Sequence, residues 1–247
     1  MKDLYYLLEI AKKSALEGGK FLKNNFELPQ KELINNNREI KLQIDKDCER
    51  IILDNIMSDS DLPILSEESA SSTVLDETYW IVDPLDGTSN YFRKIPFCAV
   101  SIALMHRGTI SLGVIFDFLN NDLYFATDKN GAYCNDSKIF VSNVDAKSQG
   151  TLMTGIPAKD NYTNLEFEEM IGDFQFWKKV RMIGSATIAT MYVANGYAES
   201  YKEKGIFIWD VAAGAIIVKE AGGNISLSKI QDDFRVDAIF TNGKVDY

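Results

Sequence analysis

Apolar positions recur at helical spacing from the start of the chain. Leu4, Leu7, Leu8, Ala11, Ala15, Leu22 and Phe26 line one face of a helix predicted over residues 3 to about 25, with Gly18-Gly19 weakening its middle. Residues 29–38 are polar, carry Asn35-Asn36-Asn37 and read as a loop. Residues 39–44 alternate as a short strand, and a second helix follows with Cys48, Ile51, Ile52 and Ile56 to one side. Asp45 stands at its predicted N-cap, with Glu49 in the first turn. Residues 62–65 form a short apolar strand. Residues 97–105, 109–118 and 122–127 are strands separated by His106-Arg107-Gly108 and Asn120-Asn121, and residues 131–141 continue an antiparallel meander.

The pattern then alternates. Strands are predicted over 151–156, 180–183 and 198–202, and a helix over 165–171. Gly184-Ser185-Ala186 opens another helix running to about residue 195. Tight small residues at such a junction suit either backbone contact with a ligand or close packing. A last helix begins at Asp210, its predicted N-cap, and is apolar nearly all round through Val211, Ala212, Ala213, Ala215, Ile216, Ile217 and Val218, which makes it interior. Ala221-Gly222-Gly223 closes it, and residues 225–227 and 238–241 are the final strands.

One stretch breaks the hydropathic rhythm: Trp80-Ile81-Val82-Asp83-Pro84-Leu85-Asp86-Gly87-Thr88-Ser89-Asn90. Three bulky β-formers run into a proline and a glycine flanked by two carboxylates. On its own the stretch reads equally as a turn. Carboxylates at the end of a buried strand are costly unless a cation meets them, and Mg²⁺ prefers oxygen ligands of this kind. The N–H groups and hydroxyls of Gly87, Thr88 and Ser89 lie just beyond, placed to hold an oxyanion such as phosphate. Glu67 and Glu68 also end an apolar strand, ahead of Asp83 and Asp86. If the two strands are neighbours, a glutamate reaches the same cation.

The 247 residues suit one large domain or two intimately joined halves, about 1–145 and 146–247, and the 46% hydrophobic content supplies a substantial core. A net charge of −10 argues against polyanion binding by a broad basic face, so no nucleic-acid polymer is expected. Cys48, Cys98 and Cys134 are odd in number and widely spaced, which suits packed thiols in a reducing cytoplasm. Residues 4–10 make a poor secretion signal, and no apolar run reaches the ~18 residues that span a bilayer. His106, the single histidine, falls at a hairpin turn and is expected at the surface, so a Ser–His–Asp triad is not indicated.

Taken together, Ile64-Leu65-Ser66-Glu67-Glu68-Ser69, the Trp80–Asn90 stretch and Trp209-Asp210-Val211-Ala212-Ala213-Gly214 resemble the inositol monophosphatase family of metal-dependent phosphomonoesterases. Arg181-Met182-Ile183-Gly184-Ser185-Ala186 and Glu220-Ala221-Gly222-Gly223 fit as well, so the resemblance covers nearly the whole chain. It implies an α+β fold, a layered αβαβα sandwich of the inositol monophosphatase/fructose-1,6-bisphosphatase type, spanning residues 1–247 as a single domain. It further implies that Glu67, Asp83 and the Leu85 carbonyl hold a first Mg²⁺ and that Asp83, Asp86 and Asp210 hold a second. Glu67 with waters would help a third, weaker ion, Glu68 standing close. Asp45 matches the family acid that hydrogen-bonds the motif threonine, Thr88; Ile44 departs from the small or hydroxylated residue that often precedes that acid.

The implied chemistry is direct attack of a metal-activated water on a small phosphate monoester, with Thr88, Asp45 and Glu67 orienting the water and taking its proton. Gly87 and Thr88 N–H groups would grip the phosphate, with Asp86, Ser89 and Asn90 near it and Asp210 beside the departing oxygen. Gly184, Ser185 and Ala186 align with the family's sugar-contacting backbone. Glu203 stands where inositol-directed members accept hydroxyl hydrogen bonds, although beside Lys202 and Lys204 it also reads as a surface charge. An inositol or similar polyol phosphate is the expected substrate, with adenosine 3′,5′-bisphosphate and fructose 1,6-bisphosphate as alternatives. A non-catalytic partner protein on the same fold is the reading from another class. The resemblance also suggests a homodimer and inhibition by Li⁺.

Overall fold

In a computed structural model, residues 4–35, 40–72, 76–156 and 163–246 are described. The chain begins with α1 (Leu4–Asn25), β1 (Glu32–Asn35), β2 (Ile40–Leu42), α2 (Gln43–Asp59), β3 (Ile64–Ser66) and a 3₁₀ turn over Glu67–Ser72. Next come β4 (Thr78–Asp86), α3 (Thr88–Phe92), β5 (Ala99–His106), β6 (Thr109–Asp117), β7 (Asp122–Thr127), β8 (Ala132–Cys134) and β9 (Ser137–Ile139). The remainder is β10 (Thr151–Thr154), α4 (Asn164–Ile171), β11 (Lys179–Arg181), α5 (Ala186–Ala194), β12 (Ser200–Phe207), α6 (Ile208–Glu220), β13 (Asn224–Leu227) and β14 (Arg235–Thr241).

β3 to β9 form a seven-stranded sheet in sequence order, antiparallel except for the parallel β3–β4 pair. Both of its faces are covered, so its central strands are almost continuously apolar. Trp80, Val82, Ile102, Leu104, Leu112, Val114 and Phe116 face a core completed by Leu7, Leu22, Ile52 and Ile56 of α1 and α2. Ile81, Ala103 and Ile115 face the opposite way, towards α5 and α6. Gly113 of β6 admits α6 closely: a Cβ there would lie 2.6 Å from the Ala213 carbonyl oxygen. Beyond α5 and α6 lies the second sheet, in the order β11-β10-β12-β14-β13, and α4 reaches its β12 through the Glu169–Lys204 ion pair at 3.7 Å. The result is the layered αβαβα, α+β arrangement.

The structure moves several elements. Part of the expected loop over 29–38 is strand β1, paired antiparallel to β2; residues 36–39 lie outside the described residues. The strand expected over 39–44 ends at Leu42, because Gln43 already begins α2. Asp45 is therefore the third residue of that helix and not its cap, and its Oδ2 accepts the Leu42 N–H at 2.7 Å. Asp210 is likewise the third residue of α6, with Phe207 at the cap. Strand β12 runs on through Glu203-Lys204-Gly205, with a shift in register between Glu203 and Ile206. Cys48 and Cys98 are buried and Cys134 half-buried. His106 is half-buried and lies 2.7 Å from the Thr78 hydroxyl. Among the described residues, no helix is long and apolar enough to cross a membrane.

Candidate active site

The site begins with an irregularity in β4. Asp83 pairs with Ser101 and Asp86 with Ala99, so three steps along β4 match two along β5. Residues three apart on a regular strand point to opposite faces; one extra residue restores the same face. Pro84 sits within the bulge, where the missing N–H is tolerated. Both aspartates thereby join one cluster. The parallel β3–β4 register pairs Ser66 with Val82, which sets Glu67 beside Asp83, and the two carboxyls are in hydrogen-bonding contact. Asp210 arrives from the opposite layer on the first turn of α6. That turn is tied to β5 by the Ser101 hydroxyl, 3.3 Å from the Trp209 carbonyl. Carboxylate oxygens of Asp83, Asp86 and Asp210 lie within 4.8 Å of one another.

Gly87 turns the chain out of the strand with φ +84°, and a Cβ there would lie 2.6 Å from the Phe97 carbonyl oxygen. Thr88 then starts α3. Its hydroxyl donates to the Leu85 carbonyl at 3.1 Å and faces the buried Asp45 carboxyl, whose Oδ1 finds no hydrogen-bond partner among the described residues. Ser89 is exposed. Asn90 is buried and acts as a clasp, its Nδ2 donating to the carbonyls of Phe97 at 2.7 Å and Ile183 at 2.8 Å. That clasp brings Gly184 and Ser185 to the motif. The Ser185 hydroxyl caps α5, accepting from Ile188 N–H at 3.1 Å, and donates to Asp86 Oδ2. Asp86 Oδ2 also accepts the Thr187 N–H at 2.8 Å. Asp86 therefore spans the site, one side towards the other acids and the other on the α5 N-terminus.

Beside Asp86 opens a cavity of ≈ 220 Å³ lined by Thr154, Gly155, Gly184, Ala186, Tyr201 and Glu203, among others. Glu203 is not a surface charge: it is 7% exposed and accepts the Tyr201 hydroxyl at 2.9 Å.

Charge in this region is heavily frustrated. Burial pushes the Asp83 carboxyl well above the usual range, and Glu67, Asp86 and Asp210 push it further. Burial does the same to Asp210, reinforced by Asp86, Glu67 and Glu203. It raises Asp86 too, against the pull of the Ser185 and Thr187 hydrogen bonds. Glu67 is pushed up to about 8 by burial and by Glu68, Asp45 to about 7 by burial, and Glu203 to about 7 by burial. Carboxylates this crowded stay ionised only with a cation among them. The donors are all oxygen, which matches a hard divalent ion, and the buried Asp45 Oδ1, without a partner among the described residues, offers a further acceptor.

The sequence had gathered these acids by motif but missed three supports. Tyr201 is an ordinary strand residue until the fold aims its hydroxyl at Glu203. Thr187, without a signal of its own, supplies an N–H to Asp86. Lys41 pairs with Glu68 across 27 positions of chain.

Comparison with known proteins gives a consistent result. The model of the inositol monophosphatase family matches residues 3–241. The Nus factor SuhB of Pasteurella multocida is 34% identical over 222 residues, covering 88% of this chain and 83% of that protein. The structure of inositol monophosphatase from Anabaena superposes with a TM-score of 0.82 at 30% identity, covering 98% of this chain and 92% of that one. The extragenic suppressor protein suhB from Bartonella henselae superposes with a TM-score of 0.84 at 28% identity, covering 94% and 93%.

Proposed function

The chain belongs to the inositol monophosphatase family, and from that premise we propose that it is a Mg²⁺-dependent phosphatase acting on a small polyol or sugar monophosphate. The observation that carries the proposal is the convergence of Asp83, Asp86 and Asp210 within 4.8 Å, with Glu67 in contact with Asp83, where Asp86 also lines the ≈ 220 Å³ cavity. Glu67, Asp83, the Leu85 carbonyl, Asp86 and Asp210 would hold the ions. Divalent cations bound there supply charge neutralisation of the phosphate and a water acidic enough to attack it.

The chain's own residues do the rest. N–H groups of Gly87 and Thr88, presented by the turn after Asp86, orient the phosphate. The Thr88 hydroxyl holds the attacking water. Asp45, whose Oδ1 makes no hydrogen bond among the described residues and whose carboxyl is pushed up to about 7, accepts the proton with Glu67. Asp210 stands on the leaving-group side. Glu203 and the Gly184–Ala186 backbone receive the hydroxyls of the alcohol. Two features favour a monophosphate over a bisphosphate. A second phosphate in the cavity would face Glu203 and Asp86, both acids, and at ≈ 220 Å³ the cavity is small.

A second reading is supported by the relative named a Nus factor: a role exercised through a protein partner on the same scaffold. One assay separates the readings. Phosphate release is measured on inositol monophosphates, fructose 1,6-bisphosphate and adenosine 3′,5′-bisphosphate, with and without Mg²⁺. Turnover of the monophosphates that requires Mg²⁺ supports the proposal. Preference for a bisphosphate overturns the substrate assignment, and silence on every substrate favours the partner role.

A further inference from the structure

Glu67 and Glu68 are adjacent, yet they face different company. Glu67 turns to Asp83 and the acid cluster. Glu68, its side chain only 4% exposed, turns to β2, where its Oε1 lies 2.9 Å from the Lys41 ammonium. Lys41 is itself three-quarters covered, with 24% of its side chain exposed. This is a partly desolvated pair, not a surface one, and an ammonium held there acts on neighbouring charges with little screening. Those neighbours are Glu67 and Asp45, at both of which Lys41 opposes the upward push of burial. The 3₁₀ turn that carries Glu68 has a second anchor, the Ser69 hydroxyl donating to Glu49 Oε1 of α2 at 3.1 Å. Glu68 therefore does not depend on Lys41 alone for its place.

We propose that Lys41 is a positioning residue that withdraws Glu68 from the cation-binding set and stands in, by charge, for a divalent ion on the Glu67 side of the cluster. The proposal rests on the reading of the cluster as a cation site. Two carboxylates one residue apart are thereby divided between an exchangeable metal and a permanent ammonium. The chain saturates with fewer ions than its acids would otherwise hold. Without the ammonium, Glu68 becomes a buried, uncompensated carboxylate next to Glu67, and a cation from solvent is the available partner.

The test counts ions and does not use turnover. Mn²⁺ bound per full-length chain is measured by the loss of free-ion EPR signal, alongside isothermal titration. K41M binds one Mn²⁺ more than the wild-type chain, K41R binds the wild-type number, and K41M/E68Q returns to it. An unchanged count in K41M, or an extra ion that persists in K41M/E68Q, overturns the proposal. E68Q alone gives an answer even if K41M fails to fold: an unchanged count supports the withdrawal of Glu68, and the loss of one ion shows Glu68 to be a ligand. A wild-type chain that binds no Mn²⁺ at all defeats the cation-site reading itself, a result distinct from every outcome above.

Discussion

At one end of the site three aspartates crowd within 4.8 Å, with Glu67 against them. At the other end Glu203 stands in the cavity with a tyrosine hydroxyl 2.9 Å away. Both ends are buried carboxyl chemistry, but they meet opposite problems. A single acid can be satisfied by a hydrogen bond or by keeping its proton. A cluster cannot, because each ionised member raises the cost of the next. The first end thus concentrates negative charge that a cation would relieve, and the second, on the function proposed above, would set shape and hydrogen bonding for the alcohol.

The largest effect that could break this contrast is at Asp210. D210N removes one charge but little volume, and kcat should fall by roughly a hundredfold or more, in line with losing several kcal/mol of transition-state charge stabilisation. The metal-free variant should fold and, with one repulsion fewer, melt no lower than wild type at pH 8. Near-normal kinetics at millimolar Mg²⁺ would remove Asp210 from the reaction.

The next effect concerns pH. Glu67, Asp45 and Glu203 have folded-state values of about 8, 7 and 7, all above those of the unfolded chain. Such acids carry no penalty below the unfolded values near 4. The penalty grows as pH rises and is complete above the folded values. Metal-free protein should therefore lose stability between pH 5 and pH 8, by roughly 5–10 °C in melting temperature. Added Mg²⁺ should cancel the share of the loss that comes from the acid cluster and leave that of Glu203. Equal melting temperatures at both pH values without metal would mean the cluster is not frustrated.

Two smaller effects belong to the cavity. A Cβ at Gly155 would lie 2.7 Å from the Glu203 carboxyl carbon, so G155A should raise KM for an inositol monophosphate by about tenfold while leaving Mg²⁺ affinity unchanged. E203Q keeps the shape and weakens one hydrogen bond to the alcohol, so KM should rise about two- to tenfold. Its kcat on an aryl phosphate without hydroxyls should stay at the wild-type value. A loss of Mg²⁺ affinity in either variant would show that the two ends are not separable.

Much of the scaffold was legible in the pattern of residues. The amphipathic face of α1, the meander from β5 to β9 and the all-apolar α6 each follow from periodicity over many positions, where local errors average out. Single-residue assignments at element ends fared worse. Asp45 and Asp210 carry the chemistry of caps, yet each helix starts two residues earlier, because Gln43 and Ile208 are drawn into the first turn. Glu203 could be read from the sequence both as a hydroxyl-accepting acid, by family resemblance, and as a surface charge among lysines; its burial beside Tyr201, at the register shift in β12, removes the second reading.

By itself the sequence determined which residues had to be interior and which acids had to be reconciled with them: hydrophobic periodicity and the rarity of carboxylates at strand ends are both local facts of composition. Tertiary structure alone decided how those acids meet. The bulge that turns Asp83 and Asp86 to one face, the parallel register that delivers Glu67, and the layer that delivers Asp210 all depend on pairing between distant segments. Electrostatic energy depends on distance through space. Positions 67 and 210 share one field only because two sheets close on the same helix pair.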